Sequence, residues 1–437
     1  MTDNYNGCEL HYIASGTSFM YINSLRRDGG VNDETIDWVR GMFQGAERGP
    51  NKFGMLFNAF TESTFGKVFK ENYSDVMCDI HADSGGLQMV SLGKVADAAA
   101  KEKIYKTQAA YSSVAMSFDE IPVSQIFDPY AGRGAMSATR KKVFDRSQLK
   151  EKAIESGKNL REQLEYFANV GTIAKPMLIA QGNCPDTYYE WVEHVQDQIP
   201  DELLDKIAGV AVATSTLGPG DLENFESAFV ASQMNFRFDC KQIHFLGVGS
   251  FDRLAPVLAL CKSGVYKDKI ISYDSTTHTG GLARSRFYTR RPDGTYVGTR
   301  LLQSDGYRPR DYQFMMDHIS KFNIGYEDPE SLYKYFITCP SYSAVEEIGE
   351  AHNRPLIPKT KIALFRYSYD NFITQIEEYM DSDGYMKGIR KAHQHPISGL
   401  AECRTRSDFN VWHSTFKNVL KSDRVRSKTQ NLESLFG

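Results

Sequence analysis

Three aspartates in this chain follow short apolar runs, and carboxylates so arranged could act on a glycosidic bond. Asp83 ends the run Val76–Ala82 and enters Ser84-Gly85-Gly86, where glycines let the backbone turn tightly and approach a ligand closely. Asp119 follows Val114–Phe118 and precedes Glu120, and Asp274 follows Ile270-Ile271-Ser272-Tyr273. A single aspartate after a strand is a common turn or cap residue. Three at the ends of strands in one sheet form a set in which one carboxylate attacks or shields an oxocarbenium-like centre while another moves a proton. Gln181, after Pro176–Ala180, adds an amide that donates and accepts, as reading the edge of a base requires.

These side chains need a frame. The strands expected are Phe53–Asn58, Val76–Ala82, Val114–Phe118, Pro176–Ala180, Ile207–Ala213, Gln242–Gly247 and Lys269–Tyr273. Amphipathic helices are expected over Ser147–Ala168, Thr187–Gln198, Leu222–Met234 and Asp252–Lys262. Apolar strands alternating with helices of this length predict βαβ units and a parallel sheet. The polar residues that follow the strands favour an α/β fold of the closed (β/α)8 TIM type, whose active site lies at the C-terminal ends of its strands. Residues 1–310 are expected to form this barrel core, with insertions. From 311 to 380 the pattern is helical, over Asp311–Phe322, Pro329–Phe336, Ser341–His352 and Tyr367–Met380. A turn at Asp381-Ser382-Asp383-Gly384 then leads into a helical, basic C-terminal extension, 381–437.

The 437 residues are 41% hydrophobic and 24% charged with a net charge of -4, ordinary values for a soluble globular protein. With 26 Phe and 24 Tyr to bury, long disorder is disfavoured. No apolar run reaches the roughly 18 residues of a membrane span, and the first residues lack a secretory core, so a cytoplasmic protein without membrane contact is expected. The seven cysteines are an odd number without C-x-x-C pairs, which fits neither a disulfide framework nor a complete zinc motif. The basic residues cluster. Seven arginines (284, 286, 290, 291, 300, 308 and 310) fall between Gly281 and Arg310, and ten Lys/Arg stand against three acids between Lys387 and Lys428. Phe409, Trp412 and Phe416 are interleaved in the second stretch, with Tyr385 just before it. Such stretches neutralise phosphates while aromatics stack on bases, or else they form the solvated face of terminal helices.

At the chemically interesting positions the sequence resembles the tRNA-guanine transglycosylase superfamily. His81-Ala82-Asp83-Ser84-Gly85-Gly86-Leu87-Gln88 is similar to its D-S-G-G-[FY]-Q motif, and Phe118-Asp119-Glu120 to its F-D-E segment. Ala180-Gln181-Gly182, Ala208-Gly209-Val210, Leu246-Gly247-Val248-Gly249 and Tyr273-Asp274 are similar, in order, to its Q-G, G-G-[LF], L-M-G-V-G and F-D segments. The resemblance covers residues 80–290. It implies that Asp274 attacks C1′ of a target nucleotide and forms a covalent glycosyl-enzyme, with Asp83 as general acid and base. Ser84, Asp119, Gln181, Leu87, Leu246, Gly247 and the backbone at Gly209 would hold the base.

Departures from the family pattern point to a branch within it. Leu87 and Leu246 replace an aromatic and a methionine, so aliphatic side chains would sandwich the base. The P-T-R element after the nucleophile is absent, replaced by Ser275-Thr276-Thr277-His278-Thr279-Gly280-Gly281. Of the thiolates in the family's C-x-C-x-x-C pattern only Cys339 remains, with Ile337 and Tyr342 at the other positions and His352 beyond, so no zinc and no other cofactor is expected. With the basic extension, these changes resemble the DNA-modifying, DpdA-like branch of phages and bacterial gene clusters. That implies exchange of guanine in DNA for a 7-deazaguanine such as preQ0, serving restriction evasion if the source is a phage, with the host cytoplasm as its place. Arg284, Arg286, Arg290, Arg291 and His278 would hold the opened strand, with a strand-opening partner protein as a further expectation. The alternatives are a tRNA transglycosylase with altered RNA specificity and a catalytically silent nucleic-acid binder; two well-placed carboxylates argue against the latter. Met116, Leu178 and His244 read as core residues, and Cys184 has no visible base partner.

Overall fold

A computed structural model describes residues 5–15, 33–86, 97–127, 140–213, 221–275, 278, 286–291, 293–300, 356–381 and 389–420. Leu87, Arg284, the side chain of Arg286, the zinc-pattern positions and the helices expected between 311 and 352 lie outside the described residues.

The expected barrel is present. Eight parallel strands close in the order β1-β10-β9-β8-β7-β4-β3-β2, which is chain order read around the ring. They are β1 (Glu9–Ala14), β2 (Asn51–Asn58), β3 (Ile80–Asp83), β4 (Val114–Met116), β7 (Lys175–Ala180), β8 (Gly209–Ala213), β9 (Gln242–Leu246) and β10 (Ile270–Ser275). A hairpin, β5 (Val123–Phe127) with β6 (Arg140–Phe144), is inserted after β4. Helices α1 (Asp33–Gln44), α2 (Ser63–Asn72), α3 (Ala98–Tyr111), α4 (Leu149–Val170), α5 (Pro185–Gln196), α6 (Asp201–Leu204), α7 (Asp221–Gln233) and α8 (Phe251–Lys262) run between the barrel strands. Their ends are locally encoded. Asp97 caps α3 by accepting from the Ala100 amide, α4 stops at Gly171 with φ +66, and α5 opens on Pro185.

After β10 a second hairpin, β11 (Arg286–Arg290) with β12 (Tyr296–Arg300), leads to α9 (Leu356–Asp381). Helix α9 covers the strands where the ring closes. The Tyr369 ring lies 5.1 Å from Tyr12 and 5.3 Å from Phe53, and its hydroxyl donates to Ala46 O at 2.9 Å. The Arg366 guanidinium donates to the last carbonyls of α1 and its exit, Met42 O and Gly45 O, and Arg48 pairs with Glu377. The helical layer therefore includes residues beyond the 1–310 segment expected as barrel core.

Helix α10 (Lys391–Glu402) and a helix over 406–420 lie against α7 and α8. Phe409 stacks on Phe229 at 4.4 Å, Trp412 stacks on Phe225 at 5.5 Å, and the Trp412 indole donates to Pro396 O at 2.8 Å. The expectation that the aromatics of this extension present faces to bases is corrected for these two. Phe409 and Trp412 are buried in the core, because an apolar face of α7 needs cover and they supply it. No helix among the described residues is long and apolar enough to cross a membrane.

The lumen has two halves. Val114, Met116, Met177, Ile179 and Ala211 form an apolar cluster on the β4-β7-β8 side. The rings of His81 on β3 and His244 on β9 approach to 5.0 Å although those strands are not neighbours, so they meet across the lumen. Residues two further along a strand share its face, which directs Asp83 inward at the C-terminal mouth. Ser272, bonded to His244, directs Asp274 there in the same way.

Candidate active site

Asp83 closes β3 level with Asn58, the last residue of β2. The chain then reverses at Gly85 with φ +79, where a Cβ would stand 3.0 Å from Asn58 Oδ1 and 3.0 Å from Phe60 Cβ, so this position requires glycine. Burial pushes Asp83 up to about 6, and the negative charges of Asp274 and Glu62 add to that, while the amides of Gly85 and Ser84 donate to the carboxylate and oppose it. Glu62 accepts from the Asn58 amide at 2.9 Å and is itself raised by burial. Asp83 is thus a carboxyl poised between its two forms near neutral pH, facing the charge of Asp274.

A second group lies beside it. The Gln181 amide, just past β7, donates to Asp119 Oδ2 at 2.6 Å, and both residues are buried. Ser84 is buried too, accepting from the Gly86 amide at 3.4 Å, and a Cβ on Gly86 would lie 3.4 Å from Asp119 Oδ1. Burial pushes Asp119 up to about 7; the Gln181 bond lowers it and the Asp83 and Glu120 charges raise it. Gln181 Oε1 is buried and has no hydrogen-bond partner among the described residues. A buried acceptor left open beside a carboxyl that can hold its proton presents a donor and acceptor edge to a planar polar ligand.

Asp274 stands at the end of β10. Its Oδ1 accepts from the Gly247 amide at 2.6 Å, in a turn that Gly247 makes with φ +70, and the His244 Nε2 lies 3.4 Å from the same oxygen. Leu246, half-buried, packs on the apolar half of the lumen. The structure thus brings Asp83, Ser84, Asp119, Gln181, Leu246, Gly247 and Asp274 to one end of the barrel.

Two expected residues lie elsewhere. Gly209 begins β8, level with Met177 and Gln242 at the N-terminal end, whereas β8 reaches the mouth at Ala213. A Cβ at Gly209 would stand 1.9 Å from Gln242 O, so the glycine is there for close approach of β8 to β9, not for a base. His278 is buried among the rings of Phe372 (4.6 Å), Tyr288 (5.5 Å) and Tyr12 (6.0 Å), and burial lowers it to about 3. An uncharged, enclosed imidazole does not meet a phosphate. Arg290 pairs with Glu378 at 2.8 Å, and its amide donates to Asn371 Oδ1 at 3.1 Å, which pins the β11–β12 hairpin to α9. Arg291 closes that hairpin through its amide on Thr295 O at 2.7 Å.

Asn58 and Glu62 were missed by sequence reasoning, and His244, read there as a core residue, is buried and also lies 3.4 Å from Asp274. The signal for His244 was parity, since it stands two residues before Leu246 and therefore shares its inward face. Among the described residues one group could hold a metal ion: His11, Cys78 and Asp79, whose ligand atoms lie within 4.8 Å of one another. It sits toward the N-terminal end of the barrel, away from the carboxylates. His11 already bonds Asp79 at 3.0 Å and Glu9 at 3.2 Å, and burial raises the Cys78 thiol well above its usual range. No protein-family model matches the chain, and no curated protein matches it.

Proposed function

We propose that this protein is a base-exchanging transglycosylase that replaces guanine in DNA with a 7-deazaguanine such as preQ0 or a derivative. The observation that carries the reading is the facing pair at the barrel mouth, Asp274 held by the Gly247 amide and Asp83 raised to about 6 beside it. Asp274 attacks C1′ of the target nucleotide as the C1′–N9 bond breaks, and Asp83 gives its proton to the departing guanine. A 7-deazaguanine enters, Asp83 takes the proton from its ring nitrogen, and that nitrogen displaces Asp274 from C1′. Each carboxyl reverses its own role between the half-reactions, Asp83 from acid to base and Asp274 from nucleophile to leaving group, as microscopic reversibility requires. Gln181 and Asp119 offer the polar edge that a guanine-like face needs, with Ser84 beside them, and Leu246 offers an apolar wall.

DNA rather than tRNA is supported by the sequence, which lacks the P-T-R element and all but one of the zinc thiolates of the tRNA enzymes. A base in duplex would have to leave the stack to reach Asp274, at a cost of a few kcal/mol. The test is incubation of the protein and its Asp274→Ala variant with radiolabelled guanine and, separately, single-stranded DNA, duplex DNA and bulk tRNA. The expected result is label in DNA with the wild type and none with the variant. Label in tRNA alone would sink the DNA reading, and no label anywhere would favour a nucleic-acid binder without activity.

A further inference from the structure

The wall of the barrel beneath Asp274 carries a line of polar side chains where such cores usually hold branched aliphatics. The Gln242 amide nitrogen lies 3.2 Å from Ser272 Oγ, Ser272 Oγ lies 2.9 Å from His244 Nδ1, and His244 Nε2 lies 3.4 Å from Asp274 Oδ1. Gln242, Ser272 and His244 are all buried, so water does not set their polarity.

The donor and acceptor rules give this line a direction. A side-chain amide nitrogen only donates, so Ser272 Oγ accepts from Gln242. The one serine proton is then available to His244 Nδ1 at 2.9 Å, and the polarity in which Nδ1 accepts is the one that leaves a proton for the carboxylate facing Nε2. A neutral imidazole has a single N–H, and with Nδ1 accepting it resides on Nε2. Among the described residues Nε2 has no hydrogen-bond partner within ordinary geometry, and Asp274 Oδ1 lies 3.4 Å from it. The opposite polarity would aim a nitrogen lone pair at a carboxylate.

We propose that His244 is the positioning residue of Asp274, locked by Gln242 and Ser272 in the tautomer that carries its proton on Nε2, the nitrogen 3.4 Å from Oδ1. This inference rests on the reading of Asp274 as nucleophile. Two donors, the Gly247 amide and His244, then hold one oxygen and leave the other for C1′. The 3.4 Å separation shortens as the carboxylate turns to attack, a tightening common in occupied sites. The same two donors stabilise the carboxylate when it leaves C1′ in the second half-reaction.

The test couples nitrogen-15 spectra of the histidine rings with exchange kinetics. The His244 signals are assigned by their loss in His244→Gln. The wild type is expected to show a His244 proton on Nε2, and Ser272→Ala to show a mixture of tautomers. In exchange assays Ser272→Ala and His244→Phe should lower kcat by about ten- to a hundredfold, the worth of a hydrogen bond to a charged group, with KM for guanine unchanged. His244→Gln, whose amide can donate, should recover part of the loss. A proton on Nδ1 in the wild type, or variants that change KM alone, would overturn the inference. Should the wild type exchange no base at all, the transglycosylase reading falls, and the tautomer measurement still decides the polarity of the chain by itself.

Discussion

Asp119 keeps a proton that an exposed aspartate would lose, and this has a measurable consequence for stability. Its ordinary value is 3.8 and burial pushes it up to about 7, so between these two pH values the native state holds a proton that the unfolded chain releases. Stability therefore falls as pH rises through that window, with the favourable contribution complete below about pH 4 and lost above about 7. Asp83, raised to about 6, acts in the same direction. Each pH unit of the window amounts to about 1.4 kcal/mol, an upper bound because the carboxyls titrate as neighbours. Asp119→Asn should accordingly melt at a higher temperature than the wild type at pH 8 and at about the same temperature at pH 4, while losing affinity for the incoming base. Parallel melting curves for the two proteins across pH 4–8 would show that Asp119 is ionised in the native state. Such a group is retained against stability where its hydrogen bonding is needed by a ligand. Its position was legible in the sequence for the same reason as Asp83, Gln181 and Asp274: a polar residue directly after an apolar strand falls at the barrel mouth. The role of His244 was not legible, because only the register of β9 with β10 reveals that its far nitrogen faces Asp274.

At the scale of elements, Gly209 decides between packing and ligand binding. Strands β8 and β9 approach so closely there that a methyl group would meet Gln242 O at 1.9 Å, and a backbone oxygen cannot move aside as a flexible side chain can. Gly209→Ala should destabilise the protein by about 2–3 kcal/mol, the cost of overpacking a core, as read by urea unfolding. A variant of undiminished stability that fails to bind base would restore the glycine to the active site. The sequence could not separate these, since a glycine beside an apolar strand serves close backbone approach of either kind. Helices α4, α5, α7 and α8 were legible to within a few residues because their apolar spacing is regular. Strand β1 was missed. Two of its three inward positions, Glu9 and His11, are polar because the lumen is polar on that side, so only the end of Glu9–Ala14 carries the apolar run by which the other strands are found. Helix α3 opens with three alanines, and both hairpins are short and rich in Arg or Lys, so neither period stands out in them.

The chain as a whole closes its core with its last described helices, and that changes what the basic C-terminal stretch can do. Arg390 pairs with Asp252 at 2.6 Å, His393 adds to the same carboxylate at 3.2 Å, and Arg406 pairs with Asp186 and lies over the Tyr189 ring. Burial alone would raise Asp252, but His393 and Arg390 outweigh it and hold its carboxyl below the usual range, so this contact ties α10 to α8 as a charged pair. With Phe409 on Phe229 and Trp412 on Phe225, removing the extension strips an aromatic layer from α7. Phe409→Ala should therefore cost about 3–5 kcal/mol of stability, the usual loss for a buried phenylalanine. At a temperature where the variant is still folded, its affinity for single-stranded DNA and the slope of that affinity against salt should match the wild type. A variant that melts like the wild type but has lost DNA binding would mean that the ring stacks on bases instead. Under the packing reading, cations already answered by Asp252 and Asp186 contribute little to counterion release, because only phosphates newly neutralised by a free cation add to the salt slope. The slope therefore measures how much of the basic stretch is structural: the fewer phosphates it counts, the more of the charge between 387 and 428 serves the fold.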